Sequence, residues 1–202
     1  MAGCIAIAGT AAAVACLLSH SACASAETPS AAFRPANPSS VVAGESERGP
    51  VAGADARWLE QLNLIVPVAG VARPNLRDSF DAARGAKRHE ALDIPAARGT
   101  AVLAAGAGRI AKLYVSRTGG LTIYQFDPER RFAFYYAHLD GYAPGVREGM
   151  SVERGQHIGF VGTTGNAPPD APHLHFAILK LGPEKQWWRG TPVNPLPLLH
   201  DP

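Results

Sequence analysis

Residues 121–139, LTIYQFDPERRFAFYYAHL, decide how the fold is read. Leu121 to Phe126 and Arg131 to Ala137 are short, aromatic-rich runs of strand character, and Asp127-Pro128-Glu129 between them is a turn. Upstream, Thr118-Gly119-Gly120 supplies another turn. Before it, Gly108 to Ser116 is a candidate strand, apolar and β-branched from Ile110 to Val115 without clean alternation. Thr100 to Ala105, Gly155 to Val161 and Leu174 to Leu179 read as further strands. Arg57 to Leu64 reads as a short helix or lead-in segment, and after Pro67 no convincing helix separates the strands. The expected class is mainly β with few helices: an antiparallel two-sheet sandwich or a small barrel-like domain. The 21 glycines and 17 prolines among 202 residues favour turns and short strands in the same way. Residues 181–202 are Pro-rich and predict an irregular wrap over the sheet, with Trp187-Trp188 as a packing pair.

The flanking composition divides the chain. A net charge of +2, with no basic run and no aromatic platform, gives no case for a nucleic-acid partner. The three cysteines, Cys4, Cys16 and Cys23, all precede residue 24, so no disulfide or thiolate zinc site can form further on. Ile5 to Leu18 is apolar and uncharged, and Ala24-Ser25-Ala26 matches an A-x-A cleavage site. Residues 1–26 therefore read as an export signal, whose apolar core is short for a membrane span. It departs from the usual pattern in having no Lys or Arg. Ser21-Ala22-Cys23 opens a second processing route, lipidation of Cys23 with membrane anchoring, although His20 stands where an aliphatic residue is preferred. Simple secretion is favoured. Residues 27–56, rich in Ala, Pro, Ser and Gly with no apolar period, read as a flexible tether, and residues 57–202 as the folded domain. The expected location is outside the cytoplasm: periplasm or cell envelope, or secreted.

Four of the seven histidines fall in three compact motifs: Arg88-His89-Glu90-Ala91-Leu92-Asp93, Tyr136-Ala137-His138-Leu139 and His173-Leu174-His175-Phe176. Two histidines two residues apart share a strand face, roughly 7 Å apart along it. A catalytic zinc takes three protein ligands from His, Asp, Glu or Cys and leaves one position free. Pro95 argues against a helix carrying His89 and Asp93. The pair can converge if His89 lies on a loop and Asp93 starts a strand, with His175 as third ligand from a neighbouring strand. His173, on the face of His175, and His138, at the end of an aromatic strand, are candidate proton-handling groups. No serine nucleophile elbow is present, and no cysteine is available to the domain. Taken singly, each residue has an ordinary reading: a loop histidine, a turn cap, half-buried strand residues. His20, His157 and His200 have no evident role. Glu90 is set aside because neighbours in sequence point apart. Arg88 fits a substrate carboxylate or phosphate, and equally a solvated charge.

The set taken in order resembles the lysostaphin-type zinc metallopeptidases, the group that includes LytM-like peptidoglycan endopeptidases. The matching elements are His89-x-x-x-Asp93, Gly99-Thr100-Ala101-Val102 with Ala104-Ala105-Gly106, and Gly119-Gly120. Then come Tyr136-Ala137-His138-Leu139, Val152 through Gly155-Gln156 to Gly159, Gly162-Thr163-Thr164-Gly165 and Pro172-His173-Leu174-His175-Phe176. Together they cover about residues 65 to 197. The resemblance implies one Zn2+ held by His89, Asp93 and His175, with His138 and His173 as the catalytic histidines beside a zinc-activated water. It implies a two-sheet fold with the site in a groove bordered by Tyr136, and a peptidoglycan peptide as substrate. Ala91 departs from a position that is often Gly, which would narrow the backbone approach near the first ligand. Two other readings stay open. One is a non-catalytic activator or binding module for another wall hydrolase, a kind that typically lacks a ligand. The other is a secreted protease acting on proteins.

Overall fold

The computed structural model describes residues 53–202. The segment read as an export signal, Cys23, and the tether as far as residue 52 lie outside the described residues. The chain enters through one helix, α1 (Ala54–Gln61). It continues through a hairpin of β1 (Ala83–Arg84) and β2 (Lys87–Arg88), then β3 (Leu92–Pro95), β4 (Ala101–Leu103), β5 (Gly108–Ser116) and β6 (Gly120–Phe126). After these come β7 (Phe132–Tyr142), β8 (Ser151–Val152), β9 (His157–Val161), β10 (His173–Leu181) and β11 (Gly190–Val193). Arg73–Asn75 and Leu196–Leu198 are single 3-10 turns.

All pairings between these strands are antiparallel, and the mainly β class expected from the sequence is the one adopted. The main ladder runs β11-β10-β7-β6-β5-β8. It ends on β11 and β8 and does not close into a barrel. β7 joins two layers. Its first half lies between β10 and β6, and its last residues pair with β9, which also pairs with β4. The sandwich interior follows from strand alternation. Phe132, Phe134 and Tyr136 of β7 and Leu174, Phe176 and Ile178 of β10 are fully buried on one face. The opposite faces carry Ala133 and Tyr135, and His173, His175 and Ala177. Near one end that outer face is covered by Trp187, which packs against Tyr124 with ring centroids 4.7 Å apart. The C-terminal wrap thus includes a strand, β11, that pairs with the last half of β10.

The helix reaches back to Ala54, three residues into the span read as tether, because its first turn has a purchase on the sheet. Asp55 is paired with Arg131 and, at 3.0 Å, with Lys180 Nζ. Trp58 Nε1 donates to Asp127 Oδ2 at 2.8 Å. Among the described residues no helix is long and apolar enough to cross a membrane.

Candidate metal centre

β10 is the strand on which the site is built. Its first residues pair with β3 so that His175 lies opposite Asp93, and on the other edge with β7 so that His175 lies opposite Ala137. His89 reaches the same place from the loop after β2. That loop is shaped by Glu90, which has φ +57 and donates its N–H to Phe80 O at 2.8 Å. A positive φ in a non-glycine residue holds only where surrounding bonds over-determine it. Ala91, at the position noted above, is 1% exposed and its methyl group is accommodated.

Three donor atoms meet. His89 Nε2 lies 3.0 Å from Asp93 Oδ1, His175 Nδ1 lies 3.0 Å from the same oxygen, and the two nitrogens are 3.1 Å apart. Ligand atoms about 2.0–2.2 Å from a tetrahedral zinc are separated by roughly 3.3–3.5 Å. The observed triangle is slightly tighter than that, and two imidazoles with one carboxylate form a donor set suited to zinc. These residues fit one ion, in the loop-and-strand geometry expected of them. His138 and His173 stand beside the cluster: the His138 ring is 5.6 Å from that of His175 and 5.0 Å from that of His173, and His173 Nε2 is 3.7 Å from Asp93 Oδ1.

The orientation of the rings comes from the backbone. His89 Nδ1 is 3.0 Å from Ser79 O, His138 Nδ1 2.8 Å from Thr164 O, and His173 Nδ1 2.9 Å from Ala171 O. Each Nδ1–H donates to a carbonyl, which sets the tautomer and presents Nε2 to the groove. Ser79 acts twice, since its Oγ also accepts the Asp93 N–H at 3.0 Å. His138 has φ +61 and sits at a bulge, where β6 and β7 shift register between Ile123↔Tyr136 and Leu121↔Leu139. The Thr164 loop that orients it lies so close to the Gly119-Gly120 turn that a Cβ on Gly120 would fall 2.2 Å from Thr164 Oγ1.

Electrostatics divides the groups. Burial opposes ionisation of Asp93, but the His175 and His89 rings against its inner oxygen outweigh it and hold the carboxyl well below the usual carboxylate range. Burial pulls His138 down to about 4, against the Thr164 carbonyl, and also lowers His175. Both rings are therefore neutral at pH 7, the form in which a histidine can bind a metal or accept a proton.

A cavity of about 430 Å³ opens over the cluster, walled by Arg84, Tyr135, His138 and Asn166 among others. A second, of about 230 Å³, adjoins it across His89, His175 and Tyr135. The residue bordering the groove is Tyr135, not Tyr136. Tyr136 is wholly buried, donating to Gln125 Oε1 at 2.8 Å and accepting from the Ala105 N–H at 2.9 Å. Counting in twos back from His138 puts Tyr136 in the groove, but the bulge inverts the parity. Arg88 is exposed and paired with Asp81. His157 is a strand residue of β9, and His200 lies on a bridge to Ile65. Arg84, Ser79 and Tyr135 had no distinguishing signal in the sequence.

A histidine and carboxylate cluster that could hold a metal ion lies in an open groove with two further imidazoles beside it. The profile of Peptidase family M23 matches residues 87–195, more than half of the chain, and the chain belongs to that family. It is 36% identical over 108 residues to the L-Ala–D-Glu endopeptidase of Bacillus subtilis (strain 168), covering 51% of this chain and 33% of that protein. It is 32% identical over 108 residues to the uncharacterized lipoprotein YgeR of Escherichia coli (strain K12), covering 54% of this chain and 38% of the other. The alignments thus span little more than a third of these relatives. Among solved structures, the antimicrobial peptidase lysostaphin from Staphylococcus simulans superposes with a TM-score of 0.50 at 28% identity, covering 70% of this chain and 50% of lysostaphin.

Proposed function

We propose that this protein is an exported zinc metalloendopeptidase that hydrolyses peptide cross-links of bacterial peptidoglycan. The observation that carries this reading is the triangle of donors at 3.0–3.1 Å, open to a groove that holds two further imidazoles. In it His89 through Nε2, Asp93 through Oδ1 and His175 through Nδ1 hold one zinc ion. When bound, zinc supplies Lewis acidity and lowers the pKa of a water to about 7, so that hydroxide is available at neutral pH. The remaining work falls to the chain's own groups. His138 and His173, with Nδ1–H committed to backbone carbonyls, present Nε2 as proton acceptors when neutral and as donors once protonated. A proton leaves the attacking water for such a nitrogen, the oxygen bonds to the peptide carbon, and the C–N bond breaks as the proton passes to the departing amine. While the negative charge sits on the carbonyl oxygen, a protonated imidazole beside it stabilises it. The two cavities meeting at His89 and His175 leave room for chain on both sides of the scissile bond, as an endopeptidase requires.

The wall as substrate is supported by the B. subtilis relative, whose name specifies a bond to D-glutamate, since D-residues mark cell-wall peptides. Residues 1–26 supply export, and the segment from residue 27 to the start of α1 is a tether that spaces the domain from its point of attachment or release. Secretion stays ahead of lipidation at Cys23, although a relative named as a lipoprotein gives the latter support. The mass of the mature N-terminus separates the two.

The test is mass spectrometry of fragments released from purified peptidoglycan by the full chain, with zinc, with chelator, and with His175→Ala. Zinc-dependent cleavage absent from the variant supports the reading and identifies the bond. A folded, zinc-loaded protein that releases nothing sinks the wall substrate. A protein that neither binds zinc nor cleaves is an activator module instead.

A further inference from the structure

Asp93 offers its two carboxylate oxygens to different partners. Oδ1 faces the imidazoles, with His89 Nε2 and His175 Nδ1 each at 3.0 Å. Oδ2 accepts a hydrogen bond from Arg84 Nη2 at 2.6 Å. We propose that Arg84 is a positioning residue of the metal centre: it holds Asp93 as a one-oxygen ligand and so keeps a coordination position open on the ion. The proposal rests on the zinc reading above and concerns how that centre is held.

The backbone of Asp93 is fixed by Ser79 Oγ and by its ladder pairing with His175. Neither fixes the last torsion of the side chain, which is broad for a carboxylate. A carboxylate free to turn can chelate with both oxygens and fill the position a catalytic site leaves for its reactant. A guanidinium is a directional, charge-assisted donor, and Arg84 commits Oδ2 to itself. The hairpin that carries Arg84 contributes nothing to the buried core. It turns through Gly85 at φ +64, and its second strand is tied down by Arg88 to Asp81. Its place at the wall of the larger cavity is what it supplies to the molecule.

One effect opposes this. A guanidinium near a divalent cation repels it. The Arg84 side chain is 58% exposed, so water and salt screen its charge, whereas the direction of a hydrogen bond is local. Orientation therefore outweighs repulsion, in line with the 10- to 100-fold in metal affinity that partners behind a ligand are typically worth, roughly.

The experiment is competition for zinc against a chromophoric chelator, using the full chain as wild type, Arg84→Ala and Arg84→Gln, with visible spectra of the Co2+-loaded proteins. Arg84→Ala is expected to raise the zinc Kd about 10- to 100-fold. Its Co2+ bands weaken as a second carboxylate oxygen joins the ion. Arg84→Gln, which donates an N–H without a charge, recovers most of the affinity. The melting temperature of the metal-free protein changes little, because the Arg84 side chain is 58% exposed and buries nothing. Equal or tighter zinc binding by Arg84→Ala overturns the proposal, and a raised KM in that case assigns Arg84 to the substrate. A wild type that takes up no zinc overturns this proposal together with the zinc reading, so the two failures are distinguishable.

Discussion

Asp55 and Asp93 are each gripped by charged or ionisable side chains from several sides, and they do different things. Asp55 sits between Arg131 and Lys180, tying α1 to the residue that leads into β7 and to β10. Its partners are permanent cations, so the charge is answered and the contact is closed on itself. Asp93 has one such cation, Arg84, on its outer oxygen. Its inner oxygen faces imidazoles, one of which, His175, is held neutral by burial. A negative charge among neutral rings is an arrangement a cation completes. The contrast separates a structural carboxylate from a candidate ligand more sharply than burial does, since their side chains are 24% and 21% exposed.

The contrast breaks most visibly at His175. His175→Ala, or chelation of the wild type, is expected to lower cleavage of peptidoglycan about a thousandfold or more, the equivalent of several kcal/mol of lost Lewis-acid stabilisation. Zinc uptake by the same variant, read by metal analysis, should vanish with it. Survival of either would remove Asp93 from its distinct class. His138→Ala sharpens the same point from the neighbouring position. It should retain zinc and lose about 10²–10⁴-fold in kcat, since a proton-transfer group is removed and no ligand is. Loss of zinc in His138→Ala would mean that the donor set is larger than the triangle.

A smaller effect is expected in the core. Tyr136→Phe leaves Gln125 Oε1 and the Ala105 N–H without their partner in a fully buried place. The cost is about 1–3 kcal/mol of stability, measured by denaturant titration, with cleavage per folded molecule unchanged. A loss of activity without loss of stability would return Tyr136 to the groove.

Much of this was legible in the residues. Gly108–Ser116 was read to the residue, because the strand formers Ile110, Tyr114 and Val115 lie between glycine-marked turns. The longer strands of the ladder were found within a few positions. The two-residue strands β1, β2 and β8 were not, since two residues carry no period. His89, Asp93 and His175 stood out because three separated motifs agreed, and the structure brings the three together. Their supports did not stand out. The carbonyls of Ser79, Thr164 and Ala171 orient three rings without any side-chain signature. Arg84 is one of several arginines until the hairpin is folded. Tyr136, which the family resemblance set at the groove, faces the core instead, because the bulge at His138 puts the two residues on opposite faces of β7.

The smallest expected effect tests the closed member of the pair. Hydrogen bonds from Arg131, then Lys180, hold the Asp55 carboxyl below its ordinary value of 3.8. A group whose pKa is depressed by folding adds stability that is fully present above the unfolded value and is lost as pH falls through the folded one. Asp55→Asn should therefore lower the melting temperature by about 2–4 °C at neutral pH. The gap should hold down to about pH 4 and close below it, as the wild-type carboxyl takes up its proton. Thermal melts of both proteins from about pH 2 to about pH 7 read this directly. A gap that persists in acid would show that Asp55 holds α1 through hydrogen-bond geometry that asparagine cannot copy. A gap that widened on adding zinc would couple the helix to the metal centre, and the two carboxylates would no longer be independent.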